Sequence, residues 1–276
     1  MANIDEKTVD GFGCEWASFD QTNLSDEECH TIFSSYFKIF PSQILNDKNI
    51  GVDIGCGSGR WAKIVAPKVK KLYCVDASEE ALEIAKKNLS HQKNVDFINA
   101  SVDQIPIDDE SMDFAYSLGV LHHIPDTFAG IQSCVKKLKI GAPFLVYLYY
   151  AFDDKPHWFR FIWKLSDYAR RFISKLPFKI KLLFSQIIAF FIYFPLARSA
   201  LLLEKLNFNI SHFPLSAYRK FSLYTMRTDA LDRFGTRLEH RFTKNEIITM
   251  LKQAGLVNIT VNEETPCWCA IGYKAQ

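Results

Sequence analysis

The chain lacks the marks of several protein classes. It has no CxxC pair, and its seven cysteines, at 14, 29, 56, 74, 134, 267 and 269, are odd in number. That argues against a disulfide-stapled scaffold and against a structural zinc site, and it fits a reducing, cytoplasmic compartment. Charge of one sign is missing too: 33 Lys and Arg against 31 Asp and Glu leave a formal charge of +2. No global field therefore marks nucleic acid as a partner. The polar opening MANIDEKTVD has no apolar stretch of the secretion-signal kind. There is no internal repeat and no low-complexity tract. The uncharged apolar run Leu182–Ala197 is 16 residues long and contains Pro195. A spanning helix needs about 20 apolar residues, so a transmembrane span is not expected here.

What is present is an alternation of short apolar runs with helical patterns. Residues 1–24 read as loop with scattered aromatics. Ser25 and Glu28 form a capping-box pattern that opens a helix ended by Pro41. Strands are expected at 50–54, 71–75, 95–98, 112–117 and 144–149, with helices from about 60, 78 and 126 between them. The alternation breaks near Ala151 and resumes at Thr243, whose TKNE pattern is a second capping box, with Gly255 as the helix stop. Two final strands follow, 257–261 and 268–273; Cys267 and Cys269 would share one strand face and are read as packing residues. Such βαβ alternation predicts a doubly wound, mostly parallel α/β sheet. The expected organisation is an N-terminal helical cap (1–44), a ligand-binding α/β domain (45–150 and 241–276) and a large helical insertion (151–240).

Four motifs sit at the expected carboxyl edge of the sheet. Val52-Asp53-Ile54-Gly55-Cys56-Gly57-Ser58-Gly59 is a tight strand-to-helix turn with GxGxG spacing, not the GxGxxG of dinucleotide folds. Small residues there allow close backbone approach, and the following helix start offers free N–H groups to a polar ligand. Asp76 closes the next strand in VDAS, where a carboxylate can take both hydroxyls of a ribose. The third motif is Asn99 to Pro106, and the fourth is Ser117-Leu118-Gly119-Val120-Leu121-His122-His123-Ile124-Pro125-Asp126.

These four motifs, in this order and spacing, resemble the class I S-adenosylmethionine-dependent methyltransferases, in particular the ubiquinone and menaquinone biosynthesis branch. The resemblance covers about 45–150 and 240–275. It implies a Rossmann-like sheet of seven strands with the last antiparallel, and S-adenosylmethionine as cofactor, with no metal. It also implies that Asp53 and the Gly55, Cys56, Gly57, Gly59 turn hold the methionine part. Asp76 would bind the ribose and Ala77 the adenine. Ser101 stands where the family often has an aspartate on the adenine amine, so Val102 and Asp103 are the expected substitutes. Leu118, His122 and His123 would line the methyl side. His123 and His122, with Tyr149 on the neighbouring strand, are the expected catalytic residues if an acceptor hydroxyl needs a base.

The acceptor is expected to be a small molecule, a sugar or a lipid-linked compound. Residues 155–220 hold twelve Lys or Arg against only Asp167 and Glu204, with many aromatics. They read either as a helical cap with its lysines in water or as a basic, apolar lid touching the inner membrane surface. Trp16, Arg227, Asp229 and Arg237 are expected acceptor contacts, since Arg forks suit carboxylate, phosphate or sugar groups. Two other functions remain open from residues alone: a nicotinamide-binding oxidoreductase, against which the GxGxG spacing speaks, and a non-catalytic protein retaining the fold.

Overall fold

In a computed structural model, which describes residues 2–153, 155–262 and 269–276, the apolar runs become one sheet. Strands β1 (Ile50–Ile54), β2 (Lys71–Asp76), β3 (Val95–Asn99), β4 (Phe114–Leu118), β5 (Pro143–Tyr147), β6 (Leu256–Val261) and β7 (Cys269–Lys274) form a seven-stranded sheet of order β3-β2-β1-β4-β5-β7-β6. The first five are parallel, and β7 runs antiparallel to both β5 and β6. Strands β1, β4 and β5 are buried along almost their whole length, which is why they read as continuous apolar runs rather than alternating ones. The order reverses between β2-β1 and β1-β4, and such switch points leave a crevice at the carboxyl ends of the strands.

The chain divides into two compact units, one made of Met1–Gln21, Cys29–Ala151 and Leu238–Gln276, the other of Thr22–Glu28 and Phe152–Arg237. The first holds the sheet. Helix α1 (Glu6–Ser18) opens it, and α2 (Asp26–Tyr36) follows; α3 (Ala62–Val65), α4 (Glu79–Asn88) and α5 (Thr127–Lys137) connect the parallel strands. Ser78 and Asp126 cap α4 and α5, their side chains accepting from the N–H groups of Ala81 and Ala129. Val52, Ile54, Leu138, Phe144, Ile247 and Leu251 meet in the main core, and each such side chain stabilises by about 1.5–3 kcal/mol when removed from water.

The second unit contains α6 (His157–Ile173), α7 (Phe178–Ile188), α8 (Phe194–Lys205) and α9 (Leu223–Gly235). Its core joins Ala189, Tyr193 and Ala197 to Met226, Ala230 and Phe234 of α9. The chain then returns to the first unit through α10 (Lys244–Gln253), which carries the complete Thr243/Glu246 capping box, and Gly255 at φ +90° ends the helix.

Two local expectations change. Residues 6–18 are helix, not loop: the Asp5 carboxylate accepts from Thr8 N at 2.9 Å and starts α1. The buried positions there include Thr8, Gly13 and Glu15, so the face that α1 buries deepest is not apolar, and Val9, Phe12 and Trp16 carry its only apolar period. Pro195 does not break the second unit's long helix. It lies in the first turn of α8, directly after a wide π turn at Ala189–Tyr193 that makes room for a residue without an N–H. The 28 residues Phe178–Lys205 are therefore one continuous helix, long and apolar enough to cross a membrane by length and composition. The Arg- and Asp-rich stretch after Tyr224 forms most of α9. Cys267 and Trp268 lie outside the described residues.

Candidate active site

The crevice predicted by the strand order is present. The carboxyl ends of β1, β2 and β4 open into a cleft with a volume of about 120 Å³. Its sheet-edge wall contains Gly55, Gly57, Asp76, Ala77, Val102 and Leu118, and His123 stands at the end of the β4 loop. The opposite wall is α1, through Thr8, Val9, Phe12 and Trp16.

The glycine turn is built for close approach, and the structure shows by what. Gly57 has φ +53°, and a Cβ there would lie 2.8 Å from the Trp16 ring. Gly55 has φ +77°, and its Cβ would lie 2.3 Å from Val120. Positive φ disfavours side chains at both positions, and the space a side chain would take belongs to these two neighbours. The Asp76 carboxylate fastens the turn: Oδ2 accepts from Gly57 N at 2.8 Å and Oδ1 from Ser78 N at 2.9 Å. Burial pushes the Asp76 pKa up, and the amides of Ser78 and Gly57 oppose that shift. Each oxygen retains a second lone pair for a ligand hydroxyl.

His123 is held in one orientation. Its Nδ1 lies 2.7 Å from the Leu238 carbonyl oxygen, and Phe12 packs on the ring at 5.1 Å between centroids. A carbonyl only accepts, so in the neutral ring Nδ1 carries the hydrogen and Nε2 the basic lone pair. His122 lies behind it, rings 4.0 Å apart, fully buried and stacked on Tyr149 at 3.8 Å. Burial, with the neighbouring His123 adding, holds its pKa well below the usual imidazole range, so it stays neutral.

Of the expected site residues, Gly55, Gly57, Asp76, Ala77, Val102, Leu118, His123 and Trp16 line the cleft; Asp53, Cys56, Gly59, Ser101, Asp103, His122 and Tyr149 do not. Asp53 alternates with Ile54, which does line it, and so its side chain leaves the strand on the other face. There its carboxyl is buried, and burial pushes its pKa up to about 8, a hydrogen bond from the Tyr116 hydroxyl offsetting part of the shift. Gly59 packs toward Leu89 of α4. Ser101 is buried beside Asp103, and Asp103 accepts from the Asn3 N–H at 3.0 Å. Arg227, Asp229 and Arg237 belong to the second unit, where Arg227 donates to Gln186 and the Arg237 carbonyl faces Arg170. The sequence reading missed α1's contribution from Thr8, Val9 and Phe12. The signal was there: Val9, Phe12 and Trp16 share one face at helical spacing.

A parallel sheet with an antiparallel last strand, a GxGxG turn after β1 and an acid closing β2 define the Rossmann-like fold of class I methyltransferases. Residues 52–146 match the family described as methyltransferase domain. Among curated relatives, a Bacillus subtilis protein called an uncharacterized methyltransferase is 30% identical over 105 residues, covering 37% of this chain and 42% of that protein. A ubiquinone biosynthesis O-methyltransferase of Nitrosomonas europaea is 30% identical over 99 residues, 35% of this chain and 42% of that one. A demethylmenaquinone methyltransferase of Staphylococcus haemolyticus is 23% identical over 144 residues, 44% of this chain and 60% of that one. The chain thus spans about half the length of the curated relatives it matches. Among solved structures, the methyltransferase in complex with the Haloferax volcanii Trm112 methyltransferase activator superposes with TM-score 0.53 at 12% identity, covering 96% of this chain and 98% of that one. The chain therefore has the fold of class I methyltransferases and, over residues 52–146, matches a methyltransferase domain, with similarity to relatives in the ubiquinone and menaquinone branch.

Proposed function

We propose that the chain transfers a methyl group from S-adenosylmethionine to an oxygen, nitrogen or carbon atom of a small-molecule, sugar or lipid-linked acceptor. The observation that carries this reading is Asp76, fixed at the end of β2 by Gly57 N and Ser78 N on the wall of the cleft. The residues present fit the cofactor. A carboxylate with lone pairs to spare meets a ribose diol, the apolar Ala77, Val102 and Ile124 suit an adenine face, and the turn at Gly55 and Gly57 admits an amino-acid tail. The buried Ser101 hydroxyl, next to Val102 in sequence, is offered as a hydrogen-bonding group for the purine edge.

When bound, the cofactor supplies an already activated sulfonium methyl. The chain's own residues then orient, desolvate and accept protons. Helix α1 and the β4 loop wall off water, and orientation of this kind can remove about 7–11 kcal/mol of a barrier. His123, with Nδ1–H committed to Leu238, offers Nε2 to an acceptor hydroxyl or ammonium. His122 and Tyr149 hold the His123 ring from behind rather than reaching the cleft. Trp16 is proposed as the cleft-wall contact for the acceptor; Arg227, Asp229 and Arg237 are offered for the same role on the chemistry of their side chains alone. A cytoplasmic site of action is supported by the thiols, since the described cysteines are free and all but Cys14 are buried.

The test is incubation with methyl-labelled S-adenosylmethionine and fractionated extract, followed by mass analysis. Label in one small-molecule or lipid product, absent with Asp76→Ala, supports the reading. No labelled product in any fraction, with the cofactor bound, opposes it and favours a binding protein that retains the fold.

A further inference from the structure

Helices α6 and α7 of the second unit are amphipathic the wrong way round for a water-soluble surface. On α6, Trp158, Phe161, Ile162, Leu165 and Phe172 follow a three- and four-residue spacing along one face and are exposed, Phe161 at 63% and Phe172 at 67%. The opposite face carries Asp167, Arg170 and Ser174, and all three are buried. Arg170 donates from Nε to Asp167 at 2.7 Å and to the Thr236 carbonyl at 3.1 Å. Helix α7 repeats the inversion. Leu183, Phe184 and Ile187 are exposed, while Lys181 and Ser185 are buried, Lys181 donating to the Gly235 carbonyl at 3.0 Å. Charge inside and aromatics outside costs free energy on both faces in water. It becomes favourable only when the outer face has an apolar partner.

Charge identifies that partner. Arg160, Lys164, Lys175 and Lys179 are exposed around the apolar stripes. The two acids between residues 155 and 220 are already engaged, Asp167 by Arg170 and Arg171, and Glu204 by Arg219. A second copy of the chain, docked by two-fold symmetry, would set cation against cation. An anionic lipid surface would be complementary to the basic rim and would solvate the aromatic stripe, with the long basic side chains reaching up to headgroups.

We propose that the exposed faces of α6 and of the Phe178–Lys205 helix seat in the headgroup and upper acyl region of an anionic bilayer leaflet. The long helix lies in the interface rather than across it, because its other face is committed. Ala189, Tyr193 and Ala197 pack on α9, and Lys181 is tied to Gly235. Crossing would require giving up these contacts. The proposal does not depend on methyl transfer.

The test is flotation of the full chain with phosphatidylcholine vesicles, with and without phosphatidylglycerol. The parent is expected to float with the anionic vesicles only. The triple variant Lys164→Gln, Lys175→Gln, Lys179→Gln should weaken binding on the order of a hundredfold, since each of the three lost charges near the surface counts for about a factor of five. Phe161→Ser with Phe172→Ser should weaken it at least about tenfold, and circular dichroism must show both variants folded. Because Trp158 lies in the stripe, brominated acyl chains should quench a fluorescence component that Trp158→Phe removes. The proposal is overturned if the parent stays unbound with both vesicle types, if it binds neutral vesicles equally, or if the folded variants bind like the parent. It is equally overturned if light scattering shows a dimer that Phe161→Ser with Phe172→Ser converts to monomer.

Discussion

Asp53 is the most perturbed carboxyl beside the cleft, and replacing it tests the electrostatic account directly. Its pKa stands near 8 in the folded chain against an ordinary 3.8, chiefly because the group is buried. The sign is unusual for an aspartate. Between those two values the folded state holds a proton that the unfolded state has released, so this group makes stability fall as pH rises. Each pKa unit corresponds to about 1.36 kcal/mol, so between about pH 5 and pH 7.5 the parent should lose roughly 3 kcal/mol through Asp53. Asn is nearly isosteric with the protonated carboxyl and cannot ionise. Asp53→Asn should therefore be more stable than the parent at both pH values, by about 2 kcal/mol at pH 5 and about 5 kcal/mol at pH 7.5. Hydrogen-exchange protection of the β1 amides, corrected for intrinsic exchange at each pH, reads the first unit's stability without interference from the second. Taking parent and variant as a difference at each pH cancels other titrating groups, among them His122, whose lowered pKa acts in the opposite direction. A difference that stays constant with pH would refute the buried, protonated Asp53.

Other predictions follow from single contacts. His123→Ala should lower turnover by about a hundredfold, in the range of general-base effects, and leave S-adenosylhomocysteine affinity unchanged by calorimetry; unchanged turnover would remove His123 as the base. Gly57→Ala should destabilise by about 1–2 kcal/mol from its positive φ alone, with a further penalty against the Trp16 ring; adding Trp16→Ala should relieve only the second part, read as non-additivity in thermal melts. Asp167→Asn should cost about 3–5 kcal/mol, because it leaves Arg170 as an uncompensated buried cation with Arg171 and Arg233 close by. In the parent, that contribution should fade as pH drops below the ordinary aspartate range, since the arginines hold the Asp167 pKa down despite its burial.

Much of the sheet was legible because its strands are short apolar runs bounded by turn residues, and the cleft because its residues follow strands in sequence. Asp76, Gly57 and Leu118 needed no tertiary knowledge beyond the βαβ order. Helix α1 was only faintly legible: Val9, Phe12 and Trp16 keep helical spacing, but the face it buries deepest uses Thr8, Gly13 and Glu15. Gly13 is there for a reason visible only in three dimensions: a Cβ would lie 2.7 Å from the Ser78 hydroxyl at the start of α4. Asp53 was assigned to the cofactor by motif, whereas strand alternation puts it on the face away from Ile54. In the second unit, composition marked residues 155–220 as basic and aromatic but did not say which way the apolar face of α6 turns. The ordinary rule places such a stripe inward, and here the Asp167–Arg170 pair takes that place.

The central claim is that the cleft bounded by Gly57, Asp76 and α1 binds S-adenosylmethionine, and calorimetric titration with S-adenosylhomocysteine tests it most directly. The account predicts one site per chain in the parent, binding on the order of a hundredfold weaker in Asp76→Ala through loss of the charged hydrogen bonds to the ribose, and no response to NAD. No heat from the parent, or equal affinity in the two proteins, would contradict it.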